Sequence, residues 1–316
     1  MKTNQRLCIF PIRNKRMWDH YLLQRASVWY PEEVDLSQDK FDELKPEVQK
    51  FLKMILAFFA SSDVIVNMNL DLNFTREIDV LEVNLNYHYQ MFIEDIHSIM
   101  YATLIETYIK DIDERKFLFE AVENIPCIKK KAEWSFRWIE SSETVPFIKR
   151  LVAFSIVEGV YFSGSFCAIH WLAQQNKMPG LCKSNEFIAR DEGLHTDFAC
   201  LLYKQLEGNL SETEVHTMIK EAVAIEEEFI TISLPCSLLG MNSGLMSQYI
   251  RFVADRLVVN LGYSKIYNVT NPFKFMENLS LEGKNNFFES RTSEYQKASV
   301  LNTSGGNQIF EESDAF

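Results

Sequence analysis

Two short motifs in this sequence carry residues that could bind metal ions. Each places a glutamate three residues before a histidine, Glu94 with His97 and Glu192 with His195, and no other Glu-x-x-His occurs in the sequence. Residues three apart lie on one face of an α-helix, so each motif presents a carboxylate beside an imidazole. Oxygen and nitrogen ligands of this kind suit iron and manganese. One motif alone is weak evidence, and the second copy carries the prediction.

Two further acidic residues stand alone in strongly apolar segments. Asp63 lies among Ala, Phe, Val and Ile, and Glu158 lies in the middle of the most apolar stretch of the protein. A buried carboxylate is costly unless it is paired or binds a metal, although Asp63 facing solvent is the alternative. Four carboxylates and two imidazoles are the ligand set already known for two adjacent ions in ferritin-like proteins. The sequence therefore predicts a dimetal carboxylate centre.

Tyr101 follows His97 by one helical turn and shares a stripe with Glu94. A reduced metal pair with open positions can reduce dioxygen and then oxidise a nearby phenol. Tyr101 is the nearest candidate for that phenol, and an ordinary core tyrosine is the alternative.

The elements that must position these residues are helices. Apolar residues recur at helical spacing, and no segment alternates with period two. The fold class is therefore all-α. Because the ligand set described above is the one known from ferritin-like proteins, we expect a ferritin-like helical bundle with a dimetal carboxylate centre. The predicted helices cover residues 18–26, 46–72, 77–110, 113–124, 127–141, 151–173, 185–207, 212–233, 244–261 and 287–295.

Local signals refine several of these helices. Ser184 is predicted to cap the helix over 185–207, and Ser211 to Glu214 has the spacing of a capping box. Gly159 and Ser163-Gly164-Ser165 predict a π-bulge close to Glu158. The lysine run 129–131 and the acidic run 226–228 are predicted to be solvated helix faces.

The domain organisation predicted from these patterns has three parts. Residues 1–45 form an N-terminal arm, residues 46–300 the ferritin-like domain, and residues 301–316 a flexible C-terminal tail. The segment Leu151–Ala173 has the length of a membrane span. The glutamate in its middle favours a bundle-core helix instead, so we expect no membrane partner.

Composition and charge narrow the function further. The net charge of −12 argues against a nucleic-acid partner. The six cysteines contain no Cys-x-x-Cys pair, and no secretory apolar region follows the first residues. Both features predict reduced thiols and a cytoplasmic protein.

Longer stretches of the sequence resemble the small, radical-generating subunit of class I ribonucleotide reductase, particularly its eukaryotic and large-DNA-virus members. The resemblance covers nearly the whole protein. Its motifs are Ala26-Ser-Val-Trp-Tyr-Pro-Glu-Glu-Val-Asp-Leu, Leu56-Ala-Phe-Phe-Ala-Ser-Ser-Asp, Val157-Glu-Gly-Val-Tyr-Phe-Ser-Gly-Ser-Phe, Arg190-Asp-Glu-Gly-Leu-His, Phe252-Val-Ala-Asp-Arg-Leu and Ser293-Glu-Tyr-Gln.

The resemblance implies a role for each candidate residue. Two iron ions, or manganese or a mixed pair, would be held by Asp63, Glu94, His97, Glu158, Glu192 and His195. Reaction with O2 would leave a stable radical on Tyr101, inside an apolar pocket made by Phe162, Phe166 and Ile188.

The resemblance also implies partners. Trp29 and Asp191 would link the metal site through His97 to the surface. Tyr295 and the tail Phe310–Phe316 would continue that route to the large subunit, which reduces ribonucleotides to deoxyribonucleotides. The small subunits of this family pair as homodimers.

Several residues depart from the family pattern. Glu312 stands where an aliphatic residue is usual, and Met68 and Ile99 stand where Glu is common. Tyr161 replaces a more usual Phe and could be a second oxidation site near the metals. Two other functions stay open: a stand-alone ferritin-like dimetal oxidase, and a degenerate paralogue that supports an active small subunit.

Overall fold

The computed structural model describes residues 6–233 and 236–276, which belong to one compact unit, Met1–Met276. The described residues contain helices and no strand, so the all-α prediction is confirmed. The α-helices are α1 Lys15–Ala26, α2 Pro46–Asn69, α3 Thr75–Glu77, α4 Leu81–Tyr108, α5 Ile112–Phe119, α6 Ala121–Asn124, α7 Pro126–Ile139, α8 Phe147–Ile156, α9 Ser163–Ala173, α10 Pro179–Tyr203, α11 Glu212–Glu228 and α12 Ser243–Leu261.

In the part of the protein that the structure describes, three π-helices interrupt or extend these helices, at Leu70–Phe74, Val157–Tyr161 and Phe229–Ser233. The second joins α8 to α9 and contains Glu158, which confirms the predicted π-bulge. Short 3-10 turns lie at Pro31–Glu33, Phe41–Glu43 and Cys236–Leu239.

Helices α2 and α4 form an antiparallel pair in the middle of the bundle. Lys53 near the start of α2 pairs with Glu114 just beyond α4, at 2.7 Å, and Asn67 near its end donates to Asp95, at 2.9 Å. This arrangement brings the second half of α2, which carries Asp63, level with the middle of α4, which carries Glu94 and His97. Helix α10 packs against α4, α8 and α9. Long fully buried stretches on these helices make a continuous apolar core.

The start of α10 differs from the prediction. The helix begins at Pro179 and not after Ser184, whose hydroxyl donates to the Leu181 carbonyl inside the helix. Proline suits the first turn because its missing N–H would have no helical partner. The next two N–H groups, of Gly180 and Leu181, donate to the carboxylate of Asp39 at 2.7 and 2.9 Å. A distant side chain therefore caps the helix that carries Glu192 and His195.

The apolar stretch Phe147–Ala173 could cross a membrane by length and composition, but 94% of its most apolar window is buried within the bundle. It is a core helix, as its central glutamate predicted. The stretch Pro46–Glu77 passes the same composition test, and 56% of its most apolar window is buried, with one face packed on α4.

The two predictions of solvated charged runs were each wrong at one residue. Lys131 and Glu226 are both buried, with side-chain exposures of 1% and 0%, and their charges lie 2.6 Å apart. Their neighbours Lys130 and Glu228 do form an exposed pair. The capping box at Ser211 and Glu214 is confirmed, with both reciprocal hydrogen bonds present.

Candidate metal centre

Six side chains from four helical segments meet in the core of the bundle. Glu94 and His97 come from α4, Glu192 and His195 from α10, Asp63 from α2, and Glu158 from the π-helix Val157–Tyr161; none is more than 3% exposed. One ligand atom from each of Glu94, Glu158, Glu192 and His195 lies within 4.8 Å of the others. The same holds for Asp63, Glu94 and His97. Glu94 belongs to both groups and joins them.

The two histidines turn the same ring nitrogen toward the carboxylates. Nδ1 of His195 lies 2.9 Å from Glu94, 3.2 Å from Glu192 and 3.3 Å from Glu158. Nδ1 of His97 lies 3.2 Å from Glu94 and 3.2 Å from Glu192. A single N–H cannot serve several oxygens equally well. The nitrogen lone pairs and the carboxylate oxygens therefore converge on common points. Two bound cations would need such an arrangement of ligand atoms.

Burial and charge act strongly on the titrating groups of this cluster. Burial raises the pKa of Asp63 and Glu158 well above the usual range, and the neighbouring glutamates add to that rise. Burial alone would lower the pKa of His97 and His195, but the carboxylates around them outweigh burial and raise it well above its ordinary value. The cluster therefore carries an excess of negative charge that protons or cations must balance.

Unpaired oxygens also point to cations. Among the described residues, Oδ2 of Asp63 and Oε1 of Glu158 are buried and have no hydrogen-bond partner. A buried, unpaired carboxylate oxygen is costly in a protein interior. The donor set, the burial and these oxygens together fit a pair of divalent metal ions.

Asp191 connects the cluster to Trp29. Oδ2 of Asp191 lies 3.2 Å from Nε2 of His97 and accepts the indole N–H of Trp29 at 2.7 Å. Its other oxygen accepts two hydrogen bonds from Arg190, at 2.9 and 3.1 Å. The Trp29 ring is buried and lies against Phe187, with ring centroids 5.2 Å apart. The sequence-predicted residues Trp29, Asp191 and His97 therefore form one continuous hydrogen-bonded series.

Tyr101 is buried next to the cluster. Burial raises the pKa of its phenol well above the usual range, and the negative charges of Asp63, Glu192 and Glu94 raise it further. Its hydroxyl makes no hydrogen bond to any described residue. The ring is 2% exposed, so water has little access to it.

Phe59 stacks on the Tyr101 ring, and the sequence interpretation did not include it in the pocket. The two rings stack with centroids 4.6 Å apart. Phe162 and Phe166, which were predicted to form the pocket, lie 5.9 and 5.3 Å from Phe59 and are buried. Phe59 precedes Asp63 by one helical turn on α2 and so shares its inward face, a signal that was available in the sequence. Ile188 is also buried.

Tyr161 has different neighbours from Tyr101. Its ring packs edge-on against Trp134, with centroids 5.2 Å apart. Burial raises the pKa of its phenol, and the charges that act on it next most strongly are Glu226 and Glu221, which lie outside the six-residue cluster. The structure thus associates Tyr161 with the α7–α11 side of the π-helix. Tyr295 and the tail Phe310–Phe316 lie outside the described residues.

Comparison with known proteins identifies the family to which this protein is similar. The model of the family described as "Ribonucleotide reductase, small chain" matches residues 6–272. The ribonucleoside-diphosphate reductase small chain of Nicotiana tabacum is 55% identical over 304 residues, which make up 96% of the present protein and 92% of the tobacco one.

Two further relatives agree with that match. Ribonucleoside-diphosphate reductase subunit M2 of Homo sapiens is 52% identical over 312 residues, which make up 98% of the present protein and 80% of the human one. Among solved structures, the ribonucleotide reductase Rnr4 homodimer from Saccharomyces cerevisiae superposes with a TM-score of 0.80 at 36% identity. That superposition includes 93% of the present protein and 90% of the yeast one.

Proposed function

This protein belongs to the ribonucleotide reductase small-chain family and is the small subunit of a ribonucleoside-diphosphate reductase; from that premise we propose that its six clustered side chains hold two divalent metal ions. The observation that carries the proposal is the position of Glu94, which belongs to both groups of converging ligand atoms. The proposed ligands are Asp63, Glu94, His97, Glu158, Glu192 and His195. We propose iron, with manganese or a mixed pair as alternatives, because oxygen and nitrogen ligands accept all of these.

Tyr101 is the residue that we propose carries the radical. When bound in its reduced form, the metal pair would supply part of the electrons that reduce O2 and the oxidising power by which a nearby phenol gives up one more. Loss of that electron and of the hydroxyl proton converts Tyr101 to a neutral tyrosyl radical. Phe59, Phe162 and Phe166 exclude water and reductants from the ring, which supports a long-lived radical at this position.

The hydrogen-bonded series of His97, Asp191 and Trp29 is the proposed start of the route by which the oxidising equivalent leaves the small subunit. The proposed partner of this protein is the large subunit of the reductase, where ribonucleotides are reduced. We propose that Tyr295 and the tail Phe310–Phe316 continue the route and dock on that subunit. Trp29 supports this proposal because it is buried and bonded to Asp191, whereas metal binding by itself needs no tryptophan.

We propose that a second copy of this protein covers an apolar face on α2, α4 and the π-helix that follows α2. Five apolar side chains there are 41–55% exposed although both helices lie in the bundle: Val64, Met68, Leu72, Phe92 and Ile99. The similar Rnr4 structure is a homodimer, which supports a second copy as the occupant. Met68 and Ile99, for which the sequence offered no explanation, both lie on this face.

The six cysteines are all free thiols, and four of them are buried. Buried, unpaired cysteines are typical of proteins in reducing compartments. This feature supports a cytoplasmic location for the protein.

Removal of the tail residues 310–316 tests the proposal that this protein forms the radical and that the large subunit uses it to reduce ribonucleotides. We expect the truncated protein to keep its metals and the Tyr101 radical and to lose ribonucleotide reduction with the large subunit. A stand-alone ferritin-like oxidase would keep all its activity after this truncation. A degenerate paralogue would show no radical before or after it.

A further inference from the structure

Among the lysine and arginine ion pairs of the described residues, the pair of Lys131 on α7 and Glu226 on α11 is the most deeply buried. Both side chains are at most 1% exposed, and Nζ lies 2.6 Å from Oε2. The ammonium also lies 3.6 Å from the ring centroid of Phe58 and 4.0 Å from that of Phe229. Desolvating two charges costs about as much as their attraction returns, so a buried pair is weak evidence for stability alone. Its hydrogen bonds indicate another role.

Both charged groups bind the backbone where the π-helix Val157–Tyr161 ends. Nζ of Lys131 donates to the carbonyl of Tyr161 at 2.6 Å. Oε1 of Glu226 accepts the N–H of Gly164 at 3.0 Å. At this junction the backbone hydrogen bonds change from the π to the α pattern, and such a change leaves groups that need outside partners. The pair therefore holds both sides of the junction from a neighbouring layer of helices.

The glycines of this segment allow these close approaches. A Cβ atom at Gly164 would lie 2.7 Å from Oε1 of Glu226, closer than carbon and oxygen can approach. A Cβ atom at Gly159 would lie 3.1 Å from Thr196 on α10, the helix that carries Glu192 and His195. The π-helix is thus held against α10 on one side and against the Lys131–Glu226 pair on the other.

Glu158 lies inside the π-helix, one turn before the Tyr161 carbonyl that Lys131 binds. We propose that Lys131 and Glu226 are positioning residues that hold the π-helix in the register that aims Glu158 into the metal centre. The inference rests on the proposed function, because it takes Glu158 as a metal ligand. Neither residue touches the metal centre itself, so their effect is transmitted through the backbone of residues 158–164.

A cobalt titration of the full-length, metal-free protein tests the inference without enzymatic turnover. Co(II) reports its ligand field through d–d absorption, and wild type is expected to bind two equivalents. In Lys131→Met/Glu226→Gln no buried charge is left unpaired and an acceptor for Gly164 is kept, whereas the donor to the Tyr161 carbonyl is lost. We expect the weaker Co(II) equivalent to bind about 10-fold less tightly, as is usual when a residue that orients a ligand is removed, with an altered d–d spectrum.

Two further variants separate positioning from general stability. Gly164→Ala keeps both charges and pushes Glu226 away from the backbone, so it should reproduce the weaker Co(II) binding. Arg150→Met/Glu77→Gln removes another ion pair with a buried arginine, on α8 outside the π-helix, and should leave both Co(II) affinities unchanged even where the melting temperature falls.

The outcomes distinguish this inference from the proposed function. Unchanged Co(II) affinity and spectrum in Lys131→Met/Glu226→Gln or in Gly164→Ala would overturn the positioning role and leave the metal centre intact. Equal loss of affinity in the Arg150→Met/Glu77→Gln control would also overturn it. Failure of wild type to bind two equivalents would contradict the proposed dimetal function.

Discussion

One oxygen of Asp191 lies 3.2 Å from Nε2 of His97. The same oxygen accepts the indole N–H of Trp29. An acceptor at Nε2 favours the histidine tautomer that carries its proton there, which leaves the lone pair of Nδ1 directed at the carboxylate cluster. Asp191 therefore orients His97 for its proposed role as a metal ligand and joins it to Trp29.

The variant Asp191→Ala tests whether this carboxylate orients His97. Without its acceptor, His97 loses both its fixed tautomer and its orientation, so we expect metal affinity to fall about 10- to 100-fold. Co(II) titration of the metal-free protein measures the change. Trp29→Phe is the matched control, because it removes a bond to the same oxygen and leaves the bond to His97 in place. Equal affinities in Asp191→Ala and wild type would show that the carboxylate does not orient the ligand.

Metal binding should depend on pH, because the raised pKa values of His97, His195, Asp63 and Glu158 mean that the metal-free cluster holds protons. A group whose pKa is raised in the folded protein stabilises the fold below its ordinary pKa, and this contribution is lost as pH rises through the raised value. The metal-free protein should thus lose stability with rising pH over that range. Because metal binding releases these protons, the affinity for metal should increase as the pH rises.

Melting temperatures with and without Mn(II), at about pH 6 and about pH 8, measure this difference. We expect the increase caused by Mn(II) to be larger at the higher pH. An increase that is the same at both values, or larger at the lower one, would mean that the cluster is already deprotonated without metal.

If the apolar face on α2 and α4 is the homodimer interface, as proposed, a charge placed on it should weaken the dimer. Phe92→Asp places a carboxylate on the proposed face that also carries Val64, Met68 and Ile99, where a second copy would remove it from water. We expect the dissociation constant of the dimer to rise at least about tenfold, which is about 1.4 kcal/mol. Analytical ultracentrifugation measures it. Phe117→Asp, at another exposed phenylalanine on α5, is the control, and equal weakening by both variants would place the interface elsewhere.

The sequence predicted the helices and the six clustered residues because both follow from spacing along the polypeptide. Glu-x-x-His motifs and isolated acids in apolar helices are local signals, and the structure brings those side chains together. The start of α10 at Pro179 was missed because its cap, Asp39, lies 141 residues from Gly180 in sequence and its partnership depends on the tertiary fold.

Lys131 and Glu226 show a second limit of sequence interpretation. Each lies in a run of like charges, and runs of charge are usually solvated faces. A helix nevertheless turns about 100° per residue, so one member of a run of three can face the core while its neighbours face water. Only the packing of α7 against α11 reveals that the inward members of the two runs meet.

Electron paramagnetic resonance of protein reconstituted with ferrous iron and air tests the central claim most directly. We predict a tyrosyl radical signal and two metal ions per subunit in wild type, the same signal in Tyr161→Phe, and no signal with unchanged metal content in Tyr101→Phe. An undiminished radical in Tyr101→Phe would contradict the proposal that Tyr101 is the residue oxidised at the metal centre.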